Sequence, residues 1–335
     1  MPYTIKDVAK KANVSIATVS RILNNQTGFS EKTKKKVLQV IEELGYHPNA
    51  VARGLVNKRT HTIGVLVPAL SSMFVTGVLS GIEKAANEAG SSIIVCHTES
   101  KGGKTMNYLQ LLNEKRIDGI IFTSEILKDE YYEFISKMGI PMVLLATKSP
   151  KHSVPYVKVD DLRAAYTATE YLLKKGHTKI GMISGDEQDI IAGIPRIEGF
   201  KNALEDYGIT ADDNNIVTSR GFGFFDGVEG SKKLLQQSPD ITAIFAASDE
   251  IAIGALSSAY QMGIKVPDEL SIMGYDNLSL AEMSIPPLTT VAQPLVEMGE
   301  KAAKMVFTML DSDQQVESII MPHEVVERVS VKEKR

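Results

Sequence analysis

The 335-residue sequence has a single cysteine, Cys96, which lies within an apolar run. One cysteine cannot build a disulfide framework, and we expect this thiol to be buried. The sequence also shows no signal peptide, no apolar stretch of membrane-spanning length, no low-complexity segment and no repeat of fixed period. These absences predict a cytoplasmic protein without a membrane partner.

Recognisable patterns for catalysis and for metal binding are missing as well. The six histidines are scattered, and none is spaced at i, i+4 with a carboxylate partner, so the sequence predicts no metal site. Residues 98–105 nearly match a phosphate-binding loop, but Thr98 occupies the position of that motif's first glycine, so a solvated loop is favoured. Ser184 and Ser248 follow apolar runs without a nearby histidine to activate them. We therefore expect a protein that is not an enzyme and has no cofactor.

Charge is distributed unevenly along the chain. Residues 1–60 carry 11 Lys and Arg against 4 Asp and Glu, whereas residues 61–335 carry 26 against 37. The first segment therefore has a net charge of +7 and the remainder a net charge of −11. A basic head on an acidic body predicts that nucleic-acid phosphates bind to the head.

The first 45 residues have the apolar periodicity of three short helices joined by tight turns. Thr4 and Asp7 fit a capping box at the start of the first helix, and Ser15 can cap the second. The third helix is predicted from about residue 30 to 44, with Gly45 at its end. An ordinary three-helix bundle would show the same periodicity. The basic charge favours a DNA-binding helix-turn-helix, in which the outer face of the second helix carries Ile16, Ala17, Ser20 and Arg21.

From residue 62 onwards, short apolar runs alternate with helical stretches. The predicted strands lie at residues 62–67, 92–96, 119–123, 142–146, 179–183, 243–247 and 270–274. Helices are expected between them, for example at 77–89, 164–175 and 251–263. This alternation predicts an α/β fold with parallel sheets covered on both faces. The length favours two lobes over a single sheet.

The sequence resembles the LacI/GalR family of bacterial transcription regulators over nearly its whole length. The resemblance is carried by residues 4–9 (Thr-Ile-Lys-Asp-Val-Ala), 14–21 (Val-Ser-Ile-Ala-Thr-Val-Ser-Arg) and 45–55 (Gly-Tyr-His-Pro-Asn-Ala-Val-Ala-Arg-Gly-Leu). It implies a regulator, most simply a repressor of carbohydrate-utilisation genes, that binds a pseudo-palindromic operator as a homodimer. Its dimer surfaces would be the helices near residues 74–90 and 250–263.

The resemblance also implies the organisation of the chain. A helix-turn-helix headpiece would occupy residues 1–47, and a hinge helix with its linker residues 48–60. The core would resemble a two-lobed periplasmic binding protein. Its N-terminal lobe would contain residues 61–160 and 292–320, and its C-terminal lobe residues 161–291 and 321–335.

In this family the second helix lies in the major groove. By position, the base contacts would be Ile16, Ala17 and Arg21, and the phosphate contacts would be Thr4, Thr18, Ser20 and Asn24. Arg21 could bond guanine O6 and N7 bidentately, whereas Ile16 and Ala17 could read only thymine methyl groups and shape. The Ile-Ala pair resembles the catabolite-control branch of the family more than the lactose repressor.

The segment after the headpiece is too short to be a stable helix alone. Asn49 is a good N-cap, and composition alone would allow a linker that happens to be helical. The resemblance instead implies a hinge helix that orders on DNA and wedges Leu55 into the minor groove. Ala52 would permit close approach of the two hinge helices, and Arg53 would add attraction to the DNA backbone.

The resemblance places an effector cleft between the lobes, at the carboxyl ends of the strands. Arg196 and Asp276 match ligand-binding positions of the family, since a charged fork and a carboxylate suit hydroxyl-rich ligands. The other candidate effector contacts are Phe74, Phe225, Ser248 and Gln293. A structural ion pair is the alternative role for Arg196 and Asp276, and core packing is the alternative for the two phenylalanines.

The class of effector is less constrained. Sugar-responsive members often have an aspartate where this chain has Ala146. The catabolite-control branch also lacks that acid and answers to the phosphorylated carrier protein HPr, but Val296 replaces the tyrosine expected there, although Lys304 keeps a basic residue nearby. A small carbohydrate or sugar-phosphate effector is therefore favoured, with phosphorylated HPr as the alternative. A remoter alternative for the function is a periplasmic-type solute-binding protein, but such a protein would have no basic head.

Overall fold

The computed structural model describes residues 3–23, 27–46, 59–99, 102–312 and 314–334. The chain divides into two compact units, Met1–His61 and Thr62–Arg335. The first unit contains α1 (Ile5–Ala12), α2 (Ile16–Leu23) and α3 (Glu31–Leu44). Its apolar core is formed by Val8, Ala9, Ala12, Val19, Ile22, Val37 and Val40.

The helix ends of the small unit confirm the sequence predictions. Asp7 Oδ2 accepts hydrogen bonds from N and Oγ1 of Thr4 at 2.8 and 2.7 Å. Ser15 Oγ accepts from the amide of Thr18 at 3.1 Å. Helix α3 ends at Gly45, whose φ of +58° is the left-handed conformation that glycine adopts without strain. Local capping chemistry therefore positions all three helices.

The large unit contains two six-stranded sheets with the orders β11-β5-β4-β3-β1-β2 and β12-β10-β9-β8-β6-β7. All described strand pairs are parallel except β10 with β12. The strands are β1 Thr62–Val67, β2 Ser92–His97, β3 Gly119–Thr123, β4 Met142–Leu145, β5 Tyr156–Val159, β6 Ile180–Ser184, β7 Ile216–Thr218, β8 Ala243–Ala246, β9 Ser271–Asp276, β10 Thr289–Ala292, β11 Ile319–Met321 and β12 Glu324–Val326.

Helices cover both faces of these sheets, as predicted for an α/β fold. They are α4 Met73–Glu88, α5 Thr105–Glu114, α6 Asp129–Met138, α7 Asp161–Lys174, α8 Gly193–Asp206, α9 Phe224–Gln237, α10 Asp249–Gln261, α11 Ser279–Met283 and α12 Leu295–Asp311. One apolar cluster contains residues of both sheets, such as Val65 and Met273, and two further clusters fill one lobe each. Cys96 is buried, as predicted.

The chain passes between the sheets at three places. It leaves the first sheet after β5, returns to it after β10, and adds β11 to the first sheet immediately before it adds β12 to the second. Helix α12 accordingly packs against α4, β3 and β4 of the N-terminal lobe, although it follows β10 of the C-terminal lobe. Each lobe is therefore assembled from segments that are distant in sequence.

Glycines bring α4 and α12 into backbone contact. A Cβ atom on Gly81 of α4 would lie 1.9 Å from the carbonyl oxygen of Val296, and one on Gly299 of α12 would lie 2.0 Å from that of Val78. These distances are far below van der Waals contact, so a side chain at either position would force the helices apart. The two helices are thus held together reciprocally, each through a glycine of its own.

All seven apolar runs predicted as strands form strands, with ends that differ by at most two residues. The prediction missed β5, β7, β10, β11 and β12, which are three or four residues long. Short strands carry too little apolar pattern to stand out before their partners are known. Among the described residues, no helix has both the length and the apolarity needed to cross a membrane.

Candidate functional site

The outer face of α2 is exposed in the small unit. Ile16 is 44% exposed despite its apolar side chain, and Ala17 and Arg21 are exposed as well. Thr18 and Ser20 are half-buried. Because helix positions 17, 20 and 21 project from one side, this face presents methyl groups, a hydroxyl and a guanidinium together.

Of the remaining candidates for DNA contact, the structure describes Thr4 but not the others. Thr4 is exposed, but its hydroxyl donates to Asp7, so it also serves the start of α1. Lys6 and Lys10 of α1 are exposed beside it in sequence and supply positive charge. Asn24 and the hinge residues Asn49, Ala52, Arg53 and Leu55 lie outside the described residues.

In the large unit, the carboxyl ends of the two sheets face each other. Ser72 lies in the segment after β1, and Glu250 lies in the segment after β8. Oε1 of Glu250 is 3.3 Å from Ser72 Oγ and 3.1 Å from the amide nitrogen of Met73. Parallel strands of both lobes therefore end at one seam, which is where open α/β sheets bind ligands.

Backbone strain is concentrated along this seam. Non-glycine residues with positive φ follow three strands of the first sheet and end one strand of the second; these residues are Glu99, Ser124, Ala146, Asp276 and Asn277. Such conformations cost free energy and persist where the surrounding structure enforces them, as at binding sites. The strain marks the same edge as the interlobe hydrogen bonds.

Arg196 makes hydrogen bonds and aromatic contacts at the seam. It is only 7% exposed. Its Nε and Nη2 donate to Asp161 Oδ1 at 3.1 and 2.8 Å, and its Nη1 donates to the carbonyl oxygen of Ala247. Its guanidinium carbon lies 3.8 Å from the centre of the Tyr275 ring and 5.5 Å from that of Phe222. Burial acts to lower the pKa of Arg196, but Tyr275 and Asp161 outweigh it, so the group stays charged.

Asp276 and Gln293 meet next to this arginine. Gln293 Nε2 donates to Asp276 Oδ1 at 2.7 Å, and both side chains are buried. Burial raises the pKa of Asp276 well above its usual range, although Arg196 opposes the shift. Burial also raises the pKa of the neighbouring Asp249 to about 7. The structure thus gathers Arg196, Asp276 and Gln293 in one place, where a neutral carboxylic acid can donate a hydrogen bond and a carboxylate can accept one.

The other three candidates for effector binding, Ser248, Phe74 and Phe225, have different surroundings from Arg196, Asp276 and Gln293. Ser248 Oγ accepts from the amide of Ile251 at 3.0 Å and donates to the carbonyl oxygen of Phe222 at 2.7 Å, so it caps α10. Phe74 is half-buried against the shared apolar cluster at the start of α4. Phe225 is 79% exposed and lines a cavity of about 330 Å³ between β7 and α9. Phe222, and not Phe225, is the aromatic residue of this loop that contacts Arg196.

Sequence reasoning missed the partners of Arg196. Asp161, at the crossover after β5, also accepts from Lys158 Nζ at 3.0 Å, so one carboxylate joins a strand of the first sheet to α8 of the second lobe. The sequence did contain one signal of this ion pair. Lys158 lies inside the apolar run of β5, and a buried charge requires a partner. Two buried hydroxyls were not predicted to take part in ligand binding, although Ser184 was considered as a nucleophile. Thr123 is the last residue of β3, and Ser184 is the last residue of β6. Their side-chain oxygens have no hydrogen-bond partner within the described part of the chain.

Comparison with known proteins gives the same division of the chain. The family described as "Bacterial regulatory proteins, lacI family" matches residues 4–49, and "Periplasmic binding proteins and sugar binding domain of LacI family" matches residues 60–329. Catabolite control protein A of Priestia megaterium is 37% identical over 333 residues, which cover 99% of this chain and 100% of that protein.

Solved structures agree with these matches. The lac repressor dimer bound to operator and the anti-inducer ONPF has a TM-score of 0.89 and 25% identity, covering 99% of this chain and 100% of the other. A LacI family regulator from Enterococcus faecium with bound ribose has a TM-score of 0.74 and 31% identity, covering 82% of this chain and 100% of the other. Because the two family models match residues 4–49 and 60–329, which together make up most of the sequence, the chain belongs to the lacI family of bacterial regulatory proteins and is a DNA-binding transcription regulator.

Proposed function

We propose that this regulator is a cytoplasmic homodimer that represses carbohydrate-utilisation genes and is controlled by a small carbohydrate bound at the interlobe seam. The observation that carries the proposal is the convergence of Arg196, Asp276 and Gln293 where the two sheets end. Each has polar atoms suited to sugar hydroxyls, and the strained backbone at Asp276 is held there by its surroundings.

On the DNA side, the proposal assigns direct readout to α2. Ile16, Ala17 and Arg21 would contact base edges, and Thr4, Thr18, Ser20 and Asn24 would contact phosphates. The headpiece would comprise residues 1–47 and the hinge residues 48–60. In the hinge, Leu55 would wedge into the minor groove, Asn49 would cap the helix, Ala52 would let the two hinge helices approach closely, and Arg53 would be attracted to the DNA backbone. The exposed apolar Ile16 supports this role, because an apolar side chain on a basic surface gains from contact with a thymine methyl group.

Exposed apolar side chains of the C-terminal lobe support a dimer. Tyr260 of α10 is 86% exposed, Met283 of α11 is 73% exposed, and Ile285 is 93% exposed. Contiguous patches of exposed apolar side chains are typical of protein interfaces, and we propose that these three side chains lie in the dimer contact. The lac repressor, a structural relative, was solved as a dimer on its operator. The proposed dimer uses α4 and α10, with residues 61–160 and 292–320 in one lobe and 161–291 and 321–335 in the other.

The charge balance of the seam favours an uncharged sugar over a sugar phosphate. The positive charge of Arg196 is already bonded to Asp161, and Lys158 bonds the same carboxylate. Asp276, Asp249 and Glu250 add acidic groups around them. The hydroxyls of Thr123 and Ser184, which have no hydrogen-bond partner among the described residues, would bond hydroxyl groups of a polyol.

Operator binding in the presence of candidate effectors tests the proposal. Fluorescence anisotropy with a palindromic duplex is measured alone and with ribose, cellobiose, their phosphates and phosphorylated HPr. A change in affinity with a neutral sugar, lost in Asp276→Asn, is the expected result. A change only with phosphorylated HPr would move control to the surface around Val296 and Lys304, where Lys304 already pairs with Glu300. Failure to bind the duplex more tightly than random DNA would contradict the assigned DNA contacts.

A further inference from the structure

One carboxylate bridges the two lobes. Glu250 lies in the first turn of α10 in the C-terminal lobe, and its Oε1 accepts from the amide of Met73 and from Oγ of Ser72. Both donors belong to the start of α4 in the N-terminal lobe. The bonded groups are 177 and 178 residues apart in sequence, so this contact exists only while the lobes are held together.

Helix α4 depends on this carboxylate for its first backbone donor. Ser72 is the N-cap of the 16-residue helix, but its hydroxyl makes no capping bond to the helix backbone. The first amides of a helix have no acceptor within the helix, and the helix dipole favours a negative charge at this end. Glu250 supplies both the acceptor and the charge, so α4 is capped by a residue of the opposite lobe.

The same carboxylate lies at the start of its own helix. Helix α10 begins at Asp249 with Glu250 in its first turn, while Ser248 Oγ caps the amide of Ile251. The positive ends of α4 and α10 therefore meet across the seam with one negative charge between them. Without that charge, two helix dipoles would face each other with like ends, and without the whole side chain the Met73 amide would also lose its acceptor.

Glu250 also belongs to the charged surroundings of the proposed effector site. Its charge contributes to the raised pKa of Asp276, and its Oε2 lies about 4.0 Å from where a Cβ atom on Gly223 would stand, at the loop that carries Phe222. Movement of this carboxylate would therefore change both the hydrogen bonding at the start of α4 and the electrostatic environment of Asp276.

We propose that Glu250 is a positioning residue that holds the two lobes together by capping α4 from the opposite lobe. In this way it sets how easily the lobes move apart, and an effector at the seam would act on the same movement, so in that respect the proposal rests on the function proposed above. The bridge itself needs no effector, since both donors and the acceptor belong to this chain.

Hydrogen–deuterium exchange of the full-length protein, without sugar or DNA, tests the bridge. Glu250→Ala is expected to speed exchange at least about tenfold in seam segments of both lobes, namely residues 68–76, 124–128 and 185–193, because it removes the charge-assisted hydrogen bonds from Met73 and Ser72. Glu250→Gln keeps an oxygen acceptor and should give an intermediate rate. Ser72→Ala removes one donor from the other side and should raise exchange in the same segments by a smaller factor.

Glu229→Ala is the matched control, because among the described residues this exposed carboxylate on α9 of the same lobe pairs with Lys232 of its own helix. Its exchange should equal that of the unmodified protein. Faster exchange confined to residues 68–76 in Glu250→Ala would overturn the proposal, since Glu250 would then be a local cap without effect on closure. Unchanged exchange in all three segments would overturn it too. Neither outcome depends on which effector, if any, the protein binds.

Discussion

Asp249→Asn is expected to flatten the pH dependence of the protein's stability. The carboxyl group is fully buried in the C-terminal lobe, and burial raises its pKa from 3.8 to about 7. An acid whose pKa is higher in the folded protein than in the unfolded chain stabilises the fold fully below the unfolded pKa. That contribution is lost as the pH rises through the folded pKa.

The size of the effect follows from this shift. Between pH 5 and pH 8 the folded protein loses the proton of Asp249, whereas the unfolded chain has already lost it at both values. This linkage lowers the free energy of unfolding by about 2.5 kcal/mol across the interval. Asparagine does not titrate but keeps both contacts, because its Oδ1 can accept from the amide of Leu278 and its Nδ2 can donate to Thr290 Oγ1.

Urea unfolding at pH 5 and pH 8, followed by circular dichroism, measures the difference. Asp240→Asn is the control, because a hydrogen bond from Lys179 lowers the pKa of this exposed carboxyl and leaves it ionised at both values. The control should keep the pH dependence of the unmodified protein. An equal pH dependence in Asp249→Asn would refute the reasoning, since it would show that Asp249 is ionised in the folded protein at pH 5.

Three further substitutions test other parts of the structure. Arg21→Ala should weaken binding to the specific duplex by about 1–3 kcal/mol but weaken binding to random DNA much less; equal weakening in anisotropy titrations would make Arg21 a phosphate contact. Gly81→Ala should destabilise the protein by about 1–3 kcal/mol in urea unfolding, because its Cβ would collide with the carbonyl oxygen of Val296. Ser80→Ala, exposed on the same helix, should have little effect. Asp161→Ala should cost about 3–5 kcal/mol, since it leaves Lys158 and Arg196 buried without their shared partner. A loss below about 1 kcal/mol would show that water or another group compensates both charges.

The headpiece was predictable because the ends of its helices are determined by interactions between residues that are close in sequence. Thr4, Asp7, Ser15 and Gly45 act on residues within four positions of themselves, so each helix end could be placed from the sequence. The central strands were predictable for a similar reason, because strands buried on both faces are continuous apolar runs.

The missed strands depend on partners that are distant in sequence. Strand β11 has three residues and pairs with β5, and β12 pairs with β10, so neither has a pattern of its own. Strand β5 contains Lys158, which breaks the apolar run and is tolerated only because Asp161 neutralises it. The lysine in the sequence signals that a partner is needed, but it does not identify which carboxylate is that partner.

The candidate site was predictable in its residue types and less so in its contacts. Arg196, Asp276 and Gln293 were identified through the resemblance, and the structure gathers them. The partner of Arg196 is Asp161, 35 residues earlier in the chain, and only the crossover after β5 brings it close. Phe222 lies in the glycine-rich loop before α9, whereas Phe225 lies in the first turn of that helix, and it is the loop residue whose ring contacts the arginine.

The paired edge strands at the end of the chain have a consequence for biosynthesis. Strands β11 and β12 lie within residues 319–326, and each completes the edge of a different sheet. Both lobes therefore need residues 319–326 to complete their sheets, whereas the apolar core described for the headpiece is built from residues 8–40 and can form as soon as that segment has emerged from the ribosome. A nascent chain that stalls before residue 319 would present a folded DNA-reading head attached to two unfinished sheets. Premature termination should consequently yield species that are prone to aggregate and that still compete for operator DNA.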